Sequence, residues 1–297
     1  MRACSKPMRD AVDAQVGSLE WPKQQDPNQN APMLSAAACA RLRGVHTMTL
    51  RSMRCMRAML PGVFPRLQSL RLLLEDDAVI ESDAAYKGIA SAAPWLTHLN
   101  LPLPASATML PQQMASLLAA CSKLEDLELH AQDELAPAHI DRVSLLVGVD
   151  ALAAGTQLLS LRLPMCTSLT NLAPLGALVN LQCLNIGDCY QVSDLGLLEA
   201  LVNLQTLDIS GLFNVSDLTP LVAMVNLTRL NVNVEQVSDL AFLRAMGNLQ
   251  RLSMCTREAG TQVSDLAPLG ALVFTRRCRP SAWLCSRRCL IWRPSQP

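Results

Sequence analysis

Residues 180–225 carry one phrase twice. Asn180-Leu181-Gln182-Cys183-Leu184-Asn185-Ile186 is followed by Val192-Ser193-Asp194-Leu195. Twenty-three residues later, Asn203-Leu204-Gln205-Thr206-Leu207-Asp208-Ile209 is followed by Val215-Ser216-Asp217-Leu218. An apolar pattern that returns at a fixed step does not gather around one centre. Each copy buries its aliphatic side against the next, which builds a quasi-one-dimensional stack. The pattern is an opener with further aliphatic residues three and five positions on. It starts at Val45, Leu67, Leu96, Leu124, Leu158, Leu181, Leu204, Leu227 and Leu249, with steps of 22, 29, 28, 34, 23, 23, 23 and 22 residues.

Each phrase predicts a short strand whose second and third aliphatic residues point inward while the residues between them face the other way. Step length decides the return segment. The long steps leave room for helices at 82–93, 111–121 and 141–154, with Ser82 and Asp141 as N-caps and Pro111 in a first turn. The short steps leave room only for a 3₁₀ turn, for which Val-Ser-Asp-Leu-x-Pro-Leu is suited. Asp and Ser cap exposed N–H groups, and Pro opposes a regular helix.

On these residues the chain resembles leucine-rich-repeat proteins. Residues 157–273 are similar to internalin-like short repeats with an Asp-Leu-x-Pro-Leu convex turn. The supporting motifs are Ser193-Asp194-Leu195, Ser216-Asp217-Leu218-Thr219-Pro220-Leu221, Ser238-Asp239-Leu240 and Ser264-Asp265-Leu266-Ala267-Pro268-Leu269. The first half looks like the longer cysteine-containing eukaryotic repeats of F-box-linked proteins, best echoed at Ala119-Ala120-Cys121-Ser122-Lys123-Leu124. The fold expected is an α/β solenoid, a leucine-rich-repeat horseshoe with a parallel concave sheet. Helices cover its convex side in the first half and 3₁₀ turns in the second. The ladder position after the strand holds Cys166 and Cys189, then Leu212, Glu235 and Arg257, so a side-chain ladder there is incomplete.

Three segments are expected. Residues 1–40 are polar and aperiodic, expected to be disordered apart from a short cap at 35–41. Residues 41–273 form the array. Residues 274–297 break the phrase after Val273 and carry six Arg and no acid. That tail reads either as a basic cap or as sequence run through an intron or out of frame. The second reading is expected, with a mobile tail and the last aliphatic layer uncovered.

Half the residues are hydrophobic but only 3% aromatic, which suits stacked aliphatic layers. Residues 1–273 hold 19 bases against 25 acids, a net charge of −6 that disfavours a broad phosphate-binding surface. The first residues lack the apolar run of a secretory signal, and no stretch reads as a membrane span. Eleven cysteines without a framework of spacings point to reduced thiols inside a cell.

Candidate chemistry is sparse. Cys166 and Cys189 lie 23 residues apart and read as buried small hydrophobes, since no His or further Cys completes a zinc set. Cys278, Cys285 and Cys289 are irregularly spaced. His46, His98, His130 and His139 have no nucleophile in a recognisable local context, although His98 and His130 are expected near Asp126 and Glu128. No phosphate loop or hydrolase motif occurs. The alternate strand positions carry the interest. Between the second and third aliphatic residues stand Thr49, Arg71, Asn100, Glu128, Arg162, Asn185, Asp208, Asn231 and Ser253. One alternate position earlier stand Asp126, Ser160, Thr206, Arg229 and Arg251. Nine strands about 4.8 Å apart would make a concave surface roughly 40 Å long. Mixed charge without aromatics suits a protein partner better than nucleic acid.

The expected function is a non-enzymatic intracellular, cytoplasmic protein-binding scaffold. Its partner-binding residues are expected to be Asp126, Glu128, Arg162, Asn185, Asp208, Arg229, Asn231 and Arg251. No cofactor, metal, membrane or small-molecule substrate is expected. The resemblance also admits a ubiquitin-ligase substrate receptor, although residues 1–40 show no F-box-like pattern, and a component of ciliary axonemes.

Overall fold

The computed structural model describes residues 18–21, 44–50, 66–72, 89, 95–103, 111–131, 149–166, 169–233, 236–237, 239–255, 267–268, 283–286 and 289–292. The chain forms two compact units, Met1–Asp141 and Arg142–Pro297, so the array expected over 41–273 is shared between both.

In the first unit five strands run parallel in chain order: β1 (Ser18–Trp21), β2 (Thr47–Leu50), β3 (Ser69–Leu72), β4 (His98–Leu103) and β5 (Asp126–Ala131). Equivalent phrase positions pair: Met48 with Leu70, Leu70 with Leu99, and Leu99 with Leu127. A one-residue slip would turn every leucine outward, so burial of this column holds the register. Helix α1 (Pro111–Ala120) returns the chain between β4 and β5, with Met114, Leu117 and Leu118 buried. Its span and the proline at its first position are as the sequence predicts. The other helix expected in this unit, over 82–93, and the cap at 35–41 lie mostly or wholly outside the described residues.

In the second unit β6 (Ser160–Arg162), β7 (Cys183–Asn185), β8 (Thr206–Ile209), β9 (Arg229–Asn233) and β10 (Arg251–Cys255) are again parallel and in order. Their cores repeat as layers. Leu161, Leu184, Leu207, Leu230 and Leu252 form one register column, each at most 2% exposed. Each fully buried leucine contributes about 1.5–3 kcal/mol. The return segments are 3₁₀ turns at Ala173–Ala177, Gly196–Ala200, Thr219–Ala223 and Ala241–Ala245. Asn171, Asp194, Asp217 and Asp239 each accept the backbone N–H two residues on, at 2.7–2.8 Å, which supplies the capping expected of the Asp. The equivalent Asp265 lies outside the described residues.

Three segments hold structure that the leucine phrase does not predict. Ser18–Trp21, inside the segment expected to be disordered, pairs in parallel with β2, because four residues of extended chain suffice to satisfy an open strand edge. Of the helix expected over 141–154, residues Val149–Ala154 are a 3₁₀ helix. Leu152 is buried there, and the Gly155 N–H returns to its carbonyl at 2.8 Å. Two further strands follow β10 in the sheet. Strands β11 (Trp283–Ser286) and β12 (Cys289–Trp292) form an antiparallel hairpin, and β12 pairs antiparallel with β10.

Candidate protein-binding face

In the first unit Thr49, Arg71, Asn100 and Glu128 occupy one register column, as the phrase predicts. His98 pairs with Asp126, and both carry polar side chains on the same alternate positions. Thr97 Oγ1 donates to the Gln68 carbonyl at 3.1 Å and lies 2.7 Å from His98 Nδ1. His130 is opposite Pro102 in the backbone register.

In the second unit Arg162, Asn185, Asp208, Asn231 and Ser253 form one polar column. Ser160, Cys183, Thr206, Arg229 and Arg251 form the column before it. Five strands at about 4.8 Å spacing give that surface a width of roughly 20 Å. Of the eight residues expected to bind a partner, Asp126 and Glu128 share β5 in the first unit. The other six share these two columns of the second.

Beyond the strands, the second unit turns through left-handed backbone. Met165 and Asp188 have φ of +61° and +60°, and Gly211 has φ of +71°. Gly211 also admits a close approach, since a Cβ there would lie 2.2 Å from Asp188 Oδ1. Asn185 Oδ1 accepts the Gly187 N–H at 2.8 Å. Asp208 Oδ1 accepts from Ser210 through both N–H (3.1 Å) and hydroxyl (2.6 Å). Partial burial pushes the Asp188 carboxyl above its ordinary pKa, and the Asp208 carboxylate adds to the shift.

The cysteines behave as sequence reasoning expects. Cys166 and Cys189 are buried free thiols, and the Cys189 thiol donates to the Leu163 carbonyl at 3.2 Å. Burial raises Cys166 to about 12, Cys121 to about 11 and Cys189 further still. Among the described residues no group of three or more His, Cys, Asp or Glu is placed to hold a metal, and no helix is long and apolar enough to cross a membrane.

A ladder does tie the repeats together, at a position sequence reasoning missed. Asn180, Asn203, Asn226 and Asn248 each donate Nδ2 to a backbone carbonyl in the preceding repeat: Thr156, Val179, Val202 and Val225, at 2.8–3.0 Å. The signal was present as an Asn immediately before each opener from Leu181 onward. In the first unit the same phrase position holds Trp95 and Lys123. There Lys123 Nζ sits 4.2 Å over the Trp95 ring, a cation–π contact in place of the amide. Beside the asparagines runs a groove of about 330 Å³ lined by Leu159, Asn180, Gln182, Asn203, Gln205, Asn226 and Thr228.

No family model and no curated protein sequence matches the chain. Among solved structures, an internalin (inlF) from Listeria monocytogenes is similar at 16% identity and a TM-score of 0.47, over 80% of this chain and 61% of that one. The chain thus spans about three fifths of that internalin's length. An internalin C2 from the same organism is similar at 24% identity and a TM-score of 0.42, over 64% and 80% of the two chains. The leucine-rich-repeat-containing protein LegL7 from Legionella pneumophila is similar at 14% identity and a TM-score of 0.49, over 91% and 94%. At such identities and scores the assignment rests on the chain's own pattern. Nine leucine phrases, each folded as a strand in parallel register within its unit, give this chain a leucine-rich-repeat fold.

Proposed function

We propose that the chain is a non-enzymatic scaffold that binds a protein partner on the polar strand face of its second unit. One observation carries the reading. Ten alternate strand positions, from Ser160 to Ser253, stand in two register columns whose side chains are polar or charged, Cys183 excepted. The intervening positions are fully given over to the core. Short polar groups with three arginines and one carboxylate offer directional contacts on a rigid base, as a protein interface needs. We take the site of action to be intracellular. The free thiols of Cys121, Cys166, Cys183 and Cys189 support that reading.

The test is an affinity capture from cell extract with the full chain as bait, beside a variant carrying Asp208→Arg, Arg229→Glu and Arg251→Glu. A partner retained by the first and lost by the second supports the reading, provided both baits melt alike. Partners held equally by both would move the interface off this face. Recovery of a ubiquitin-ligase core or of axonemal proteins would assign the scaffold to one of those assemblies.

A further inference from the structure

We propose that the edge of the second unit where its strands begin docks an extended peptide segment carrying an acidic group at one end. This deepens the scaffold reading, and rests on it, by naming the chemistry of the partner and the place it lies.

Three features meet at this edge. The first is the groove, whose lining contains no charged residue. Each of Asn180, Asn203 and Asn226 is held by its Nδ2 hydrogen bond, which leaves the amide oxygen for a donor. Gln182 and Gln205 extend exposed carboxamides between them. Carboxamides offer both a donor and an acceptor, which complements the N–H and C=O groups of an extended main chain.

The second feature is apolar. Val179, Val202 and Val225 each directly precede a groove asparagine and are 48%, 45% and 49% exposed. The aliphatic residue just before each of them, Leu178, Leu201 or Met224, is fully buried. The valines therefore recur at one phrase position without serving the core, as a stripe along the groove.

The third feature is charge. Thr228, at the end of the groove, is followed by Arg229, which pairs in register with Arg251. Both arginines are exposed, and among the described residues neither forms an ion pair. Like charges opposite each other on neighbouring strands destabilise a sheet, so the pair is costly until an anion bridges it. Two guanidiniums at one end of a neutral groove fit a single carboxylate or phosphate group. A nucleic acid would need bases along the whole track and rings for stacking. The groove supplies neither.

A phage-displayed random dodecapeptide library is panned on the full chain. Enriched peptides are then synthesised and titrated by fluorescence anisotropy. Enriched sequences should combine apolar residues with Asp or Glu towards one end. Affinity should fall at least tenfold on Arg229→Glu/Arg251→Glu and on Val202→Glu, and stay within twofold on Glu199→Lys, a charge reversal on the exposed return turn of the same unit. If the charge-reversed pair melts lower than wild type, Arg229→Gln/Arg251→Gln takes its place, with the same loss expected. Enrichment without acids, affinity indifferent to the arginines, or a library with no binder would each overturn the groove. Peptides weakened only by Asp208→Arg would also overturn it, yet leave the strand-face scaffold standing. An empty capture from extract is what would remove the scaffold itself.

Discussion

Truncating Leu207 to alanine tests the layered core most directly. The side chain is 1% exposed, and its register neighbours Leu184 and Leu230 are 0% and 2% exposed. Removing three carbons forfeits about 2.4 kcal/mol of transfer free energy at ~0.8 kcal/mol per carbon. The void adds to this, because the surroundings can only partly collapse. Backbone rungs fix the strands on either side, with Gln205 N–H to Gln182 O and Thr228 N–H to Gln205 O both at 2.8 Å. If about 40 Å³ stays empty, a cost of ~24 cal/mol per Å³ contributes roughly another 1 kcal/mol. The expected loss is therefore about 3–4 kcal/mol. Leu197→Ala is the control, because Leu197 is 40% exposed on a return turn of the same unit and should lose about 1 kcal/mol or less. Urea unfolding followed by far-ultraviolet circular dichroism measures both, with midpoints compared at equal m-values. Equal shifts for the two variants would refute the assignment of Leu207 to an inward column.

Asp188→Asn should raise the melting temperature at pH 7. The folded carboxyl has a raised pKa, so its charge costs stability above that value; the gain should fade as pH falls below the ordinary carboxylate range, and a gain independent of pH would contradict the burial argument. Gly211→Ala should cost about 1–2 kcal/mol for the left-handed backbone alone, plus displacement of the Asp188 carboxylate; an unchanged chemical-denaturation midpoint would refute that packing. Alkylation by iodoacetamide, mapped by mass spectrometry, should modify partly exposed Cys183 well before Cys121, Cys166 and Cys189; equal rates would mean that the unit opens readily.

The strands were legible because burial has a period the sequence must display. A leucine at 161, 184, 207, 230 and 252 leaves one register that buries them all. The polar columns followed from the same alternation, so Arg229 and Arg251 could be placed side by side from spacing alone. What escaped was chemistry that depends on backbone position. Cys166 and Cys189 occupy the position where the phrase predicts a ladder, while the rungs stand at Asn180, Asn203, Asn226 and Asn248, whose value lies in carbonyls a repeat away. Ser18–Trp21 and the 283–292 hairpin escaped for another reason. Pairing at a sheet edge uses main-chain groups that every sequence has, so neither carries the leucine phrase. The left-handed turn at Met165 and Asp188 is equally silent, since only Gly211 advertises it.

The asparagine rungs also bear on how such a chain can change length. Each rung joins like positions in successive repeats: Asn203 reaches the Val179 carbonyl, and Asn226 reaches Val202. Excision of residues 181–203 would bring Leu204 directly after Asn180 and leave Asn226 facing Val179, a joint of the same chemistry as before. Duplication of that block would insert one more identical joint. The rungs are neutral, so neither change leaves a charge unpaired at the joint, although the block carries Asp188, Asp194 and Glu199 and shifts the net charge by three. A gain or loss of one whole block is thus a single event that leaves no orphaned donor, whereas removal of even one residue within the block breaks two rungs and the leucine register together.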